Sequence, residues 1–151
     1  MNVVVPVDEP AVRAALAEVP DPEIPALSIV DLGLVEQVTV ADTAIGVELL
    51  PTFIGCPALD AIRDAVAARL APFGRPVHVH YSYTVPWTTD RMTPVATEAL
   101  RASGIAPPGA RACPWCGSTD VVRENLFGPT LCRSLHYCRR CRQPFEAFKE
   151  V

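Results

Sequence analysis

Lysine is almost missing from this chain. One, Lys149, stands against twelve arginines, which we read only as a coding bias. Long apolar runs are missing too: none reaches 18 residues, so no membrane-spanning helix is expected. The segment from Met1 to Pro10 has no basic stretch and carries Asp8 and Glu9, which argues against a secretory signal. Gly-x-Gly-x-x-Gly, P-loop and Gly-x-Ser-x-Gly patterns are absent, as is any set of nucleophile, base and orienting residue. A self-sufficient enzyme is therefore not expected. A net charge of −4 gives no general case for nucleic-acid binding.

What is present is enough for a core. Half of the 151 residues are hydrophobic and 20% are charged, which excludes wholesale disorder. Sixteen prolines cut the chain into short elements. Five of the six cysteines lie between Cys113 and Cys141. Their paired spacing and the missing export signal favour metal over disulfides, in a reducing cytoplasm.

Charge divides the chain. Residues 1–106 hold 6 basic and 13 acidic side chains, and residues 107–151 hold 7 basic and 4 acidic. The stretch Ser103-Gly104-Ile105-Ala106-Pro107-Pro108-Gly109 at that break has the Pro/Gly content of a linker. Two domains are expected, 1–106 and 107–151.

In the first, Val12, Leu16 and Val19 predict a short helix ending before Pro20. Asp21-Pro22-Glu23-Ile24-Pro25 cannot be regular, and Ser28 to Leu34 reads as a loop or a single turn. The β-rich runs Leu34–Val40 and Ala44–Leu50 predict a hairpin. Leu59, Ile62, Val66, Leu70 and Phe73 form one helical stripe. Val77, Val79, Tyr81, Tyr83 and Val85 alternate with polar residues, predicting a strand that buries its odd-numbered side chains. Thr93 and Pro94 open a last helix that stops at Gly104. The expected fold is a small α/β sandwich in the order α-β-β-α-β-α, a three-stranded sheet with helices on one face, followed by a separate zinc ribbon.

That ribbon rests on two knuckles, Cys113-Pro-Trp-Cys116-Gly and Cys138-Arg-Arg-Cys141, with 21 residues between them. Four thiolates make the closed tetrahedral site preferred by structural zinc, and a 45-residue module has too small a core to fold without it. One zinc per chain on Cys113, Cys116, Cys138 and Cys141 is expected; an iron–sulfur cluster would use the same thiolates. Gly117 lets the chain turn behind the second sulfur. Arg133, Arg139, Arg140 and Arg142 read either as a patch for nucleic acid or an acidic partner, or as a solvated rim, the rim being favoured. Cys132 falls outside the spacing and reads as core filler, a spare ligand or a reactive thiol.

Cys56 precedes Pro57, a residue suited to the first turn of a helix. A thiol there feels the helix dipole and free N–H groups, which favour thiolate, and Gly55 leaves room for close approach. The competing reading is a buried cysteine at a tight turn. Asp31 is a candidate carboxylate neighbour or a local backbone cap. His78 and His80 share a strand face at a spacing that could bind metal, but their alternation with Val77, Val79 and Tyr81 favours simple solvent exposure. Tyr81, Tyr83 and Trp87 are expected to pack, not to stack on bases.

Asp21-Pro22-Glu23-Ile24-Pro25, Ser28-Ile29-Val30-Asp31-Leu32-Gly33-Leu34 and Thr52-x-x-Gly55-Cys56-Pro57 resemble the iron–sulfur assembly family that includes SufT-like proteins. With Trp87-Thr88-Thr89-Asp90, Phe127 to Arg133 and the four-cysteine tail, the chain resembles the PaaD-like (PaaJ-like) family, accessory proteins of a phenylacetyl-CoA ring-epoxidising oxygenase. The resemblance implies metallocentre maturation, not catalysis. It puts iron or cluster handling on Cys56, with Asp31 as the acidic loop position. It implies as partners the oxygenase, with its di-iron subunit, and the reductase, with its iron–sulfur cluster. One cysteine cannot hold a cluster alone, so a homodimer pairing two Cys56 residues, or a partner's ligands, would complete the site. The rival classes are a non-catalytic structural subunit and a ribbon-based nucleic-acid binder, the latter opposed by the acidic first domain.

Overall fold

The computed structural model describes residues 6–53 and 56–150. The chain divides into two compact units between Trp87 and Thr88.

In the first unit, the Asp8 side chain accepts a hydrogen bond from the Ala11 N–H and starts helix α1, Glu9–Leu16. Strands β1, Val35–Val40, and β2, Ile45–Leu49, form the expected antiparallel hairpin. Helix α2, Ala58–Leu70, crosses over to β3, Val77–Tyr81, which pairs parallel to β2. The sheet order is β1-β2-β3. Central β2 contributes Ile45, Val47 and Leu49, all fully buried. Val12 and Leu16 of α1 and Ile62, Val66 and Leu70 of α2 close over the core. Burial of such side chains contributes roughly 1.5–3 kcal/mol each, before the entropy of ordering them.

The loops between α1 and β1 are tightly built. Asp21 accepts from the N–H groups of Glu23 and Ile24, and Pro20 bridges to Ser28. Ser28 to Leu34 folds as a turn closed by Leu34 N–H to Ile29 carbonyl. Its reversal at Gly33 takes φ 74°, which glycine adopts without steric cost. Trp87, almost fully buried, donates its indole N–H to the Leu32 carbonyl at 2.8 Å and fixes this turn.

One expectation fails at β3. The strand stops at Tyr81, its odd-numbered residues are only half-buried, and Tyr83 and Val85 are exposed. The reason is position: β3 is an edge strand, and beyond Tyr81 the side chains of Ser82 and Thr84 bond to each other instead.

The second unit starts earlier than the expected boundary at 106/107. Thr93 caps helix α3, Pro94–Ala102, as its sequence indicates. The stretch that reads as a linker contains a strand, β4, Ile105–Ala106, which is buried and pairs parallel to β7, Pro144–Phe148. α3 packs on β4, so both belong to this unit. β5, Val121–Asn125, and β6, Arg133–Cys138, complete a mixed sheet in the order β4-β7-β6-β5, antiparallel from β7 to β5.

Candidate functional site

Two sites emerge, one in each unit. In the second unit the Sγ atoms of Cys113, Cys116, Cys138 and Cys141 all lie within 4.8 Å of one another. The Cys113–Cys141 sulfurs are 3.7 Å apart and the Cys116–Cys138 sulfurs 3.6 Å. Sulfurs at the corners of a zinc tetrahedron with bonds near 2.3 Å stand about 3.8 Å apart, so the quartet fits zinc. Disulfide bonds would need about 2 Å, and all six cysteines are free. Each knuckle turns through a left-handed residue behind its last cysteine. Gly117, at φ 75°, is the one the sequence marks; Arg142, at φ 59°, is its counterpart and carries no glycine to betray it. Without a metal the quartet shares its protons: the backbone N–H of Cys141 is the main cause that draws the Cys138 thiol down to about 7, while burial pushes Cys141 up to about 12.

Cys132 stands apart. It is buried, with Sγ 3.0 Å from the Thr130 hydroxyl, as core filler would be. Of the four clustered arginines, Arg133 is buried against Glu146 at 2.7 Å and Arg139 faces Asp120 at 3.6 Å, while Arg140 and Arg142 stay exposed on the knuckle. Those carboxylates take up charge that a nucleic-acid patch would need.

In the first unit Cys56 lies at the approach to α2, half-buried, and lines a cleft of ≈ 680 Å³. Pro57, Leu59, Asp60 and Arg63 form its helical wall, and Val79, His80, Tyr81 and Tyr83 its strand wall. Tyr81 donates to the Leu59 carbonyl at 2.8 Å and carries the Arg63 guanidinium 5.6 Å from its ring centre, tying the walls together. Burial pushes the Tyr81 hydroxyl far above its ordinary range. His80 faces Glu48 at 3.4 Å across the β2–β3 pair.

The sulfur sides with the competing reading of a partly buried cysteine over that of a thiolate. Burial raises the Cys56 thiol, the Ala58 N–H opposes this, and the charges of Glu23 and Asp21 raise it further. The helix dipole alone would favour thiolate; desolvation and two carboxylates outweigh it. Gly55 lies outside the described residues. Asp31 is held locally, donating its N–H to the Ser28 hydroxyl and accepting from it. The acidic groups acting on Cys56 are thus Glu23 and Asp21, which sequence spacing does not single out, although they belong to the Asp-Pro-Glu-Ile-Pro motif.

A hairpin, crossover helix and parallel edge strand bearing a cysteine at the helix entrance, together with a four-cysteine ribbon, define an iron–sulfur assembly domain coupled to a metal-binding ribbon. Residues 9–80 match the family described as iron–sulfur cluster assembly protein, and residues 100–149 match the PaaD zinc beta ribbon domain. The chain belongs to the PaaD-like family. It is 40% identical over 147 residues to an Escherichia coli (strain K12) protein named as a subunit of 1,2-phenylacetyl-CoA epoxidase, covering 90% of this chain and 89% of that one. It is 36% identical over 92 residues to the Fe-S protein maturation auxiliary factor YitW of Bacillus subtilis (strain 168), covering 59% of this chain and 89% of the relative. A crystal structure of a domain of unknown function from Bacillus anthracis superposes with TM-score 0.57 at 33% identity, over 61% of this chain and 90% of that one. A conserved hypothetical protein of Thermotoga maritima gives 0.54 at 29% identity, over 61% and 92%.

Proposed function

We propose that this chain is a cytoplasmic, non-catalytic maturation factor for a metallocentre of a phenylacetyl-CoA ring-epoxidising oxygenase, and that Cys56 handles the iron or cluster in passing. The carrying observation is the half-buried Cys56 sulfur at an open cleft, in the domain that matches iron–sulfur assembly proteins. Glu23 and Asp21 support the reading: the negative charge that discourages a free thiolate also attracts an iron cation, whose binding displaces the thiol proton. Asp31 would hold the Ser28–Leu34 turn through its bonds to Ser28, as the acidic loop position of the same domain. A homodimer or the receiving subunit would supply the remaining ligands. The ribbon quartet would hold one structural zinc and serve docking to the oxygenase and reductase subunits.

The test is co-expression of the oxygenase and its reductase with wild type or Cys56→Ser, followed by iron and sulfide analysis of the purified partners. The proposal predicts a several-fold loss of di-iron or cluster occupancy with the variant. Occupancy at the wild-type level would overturn it. A second reading, a structural subunit without metal transfer, draws on the name of the Escherichia coli relative. It predicts fixed-stoichiometry co-purification and full occupancy whatever residue stands at 56.

A further inference from the structure

The ribbon sheet carries a second concave surface, lined by none of the four cysteines although it shares Phe145 and Ala147 with the core around Cys113 and Cys138. Strand register sets Arg123 opposite His136 and His136 opposite Phe145, so the three share one face of β5, β6 and β7. Val121 and Ala147, two residues along their strands, lie on that face as well. With Arg111 from the segment after β4, these side chains line a cavity of ≈ 380 Å³, within the size range of small-ligand sites.

Its floor is flat and its rim is cationic. The His136 ring stacks on buried Phe145, centroids 5.3 Å apart and planes 20° apart. The Ser134 hydroxyl, 2.8 Å from His136 Nε2, holds that ring in place. Arg13, Arg63, Arg69, Arg101, Arg133 and Arg139 each face a carboxylate. Arg111 and Arg123, like Arg75, Arg140 and Arg142, form no ion pair among the described residues, and these two line the cavity. Two cations at the rim of one apolar hollow make it attractive to an anion.

We propose that this pocket binds an oxyanion carried on a planar ring: Arg111 and Arg123 take the anion, and the His136–Phe145 floor takes the ring. Guanidinium groups hold carboxylate and phosphate equally well in paired hydrogen bonds, so the anion can be either. The concave shape selects a small molecule over a protein surface. This site does not depend on the role given to Cys56.

Calorimetric titration of the full metal-loaded chain with benzoate, AMP and inorganic phosphate tests it. The expected result is saturable binding of benzoate or AMP, tighter than inorganic phosphate, weakened about tenfold by Arg111→Gln or Arg123→Gln. Binding of benzoate alone identifies a carboxylate ligand, and of AMP alone a phosphate ligand. Both arginines are exposed, and unchanged metal content verifies that the variants fold. Ring-bearing probes that bind no better than inorganic phosphate, or equally well to both variants, would overturn the proposal.

Discussion

Glu23 acts electrostatically on Cys56, and the two come from opposite sides of the β1–β2 hairpin in sequence. Together with burial and Asp21, Glu23 keeps the sulfur protonated at rest. A protonated thiol resists oxidation, and under the proposed role these carboxylates would attract a cation that displaces its proton.

This relationship predicts the pH profile of alkylation at Cys56, followed by peptide mass spectrometry. The pKa is raised, so the rate at about pH 8 should lie below that of an unstructured cysteine peptide and keep climbing beyond the ordinary thiol value of 9.0. Glu23→Gln removes a charge that disfavours thiolate, so it should move the profile to lower pH and speed alkylation at about pH 8. An unmoved profile would contradict the assignment.

Removal of metal should unfold the ribbon. Chelation, or Cys138→Ala, should release about one zinc per chain and collapse the amide dispersion of β5, β6 and β7, because a module this small has no sufficient core without it. Retention of those signals without metal would show that the core suffices.

Gly104 has φ +77°, and a Cβ there would come within 2.2 Å of the Trp115 ring. Gly104→Ala should cost about 1–3 kcal/mol, lowering Tm by several degrees in a thermal melt. Part of that loss should vanish in a Trp115→Ala background, where the clash is gone and only the backbone strain remains.

Trp87→Phe should also be costly. It removes the buried N–H that meets the Leu32 carbonyl, for about 1–3 kcal/mol in denaturant unfolding. The consequence for Cys56 is indirect, so its alkylation rate should change little at temperatures where the variant stays folded.

The parts of the fold legible in the sequence are those written in local patterns. The alternation of Ile45, Val47 and Leu49, the helical stripe through Ile62, Val66 and Leu70, the Thr93-Pro94 cap and the two cysteine knuckles all carry their signal within a few residues. β4 is only two residues long, too short for any period, and it sits among glycine and prolines that read as a linker. The end of the edge strand is hidden because alternation continues through Tyr83 and Val85 although pairing stops at Tyr81. The influence of Glu23 and Asp21 on Cys56 is a long-range charge effect, and spacing alone cannot weigh it against the helix dipole. Arg142 shows the same limit: its left-handed backbone is dictated by the knuckle, not by its side chain.

The most direct measurement is anaerobic zinc, iron and sulfide analysis of wild-type protein beside Cys56→Ser. The account predicts about one zinc per chain in both, from the four-cysteine quartet, and iron in wild type only. Equal iron in the two proteins, or zinc in neither, would contradict it.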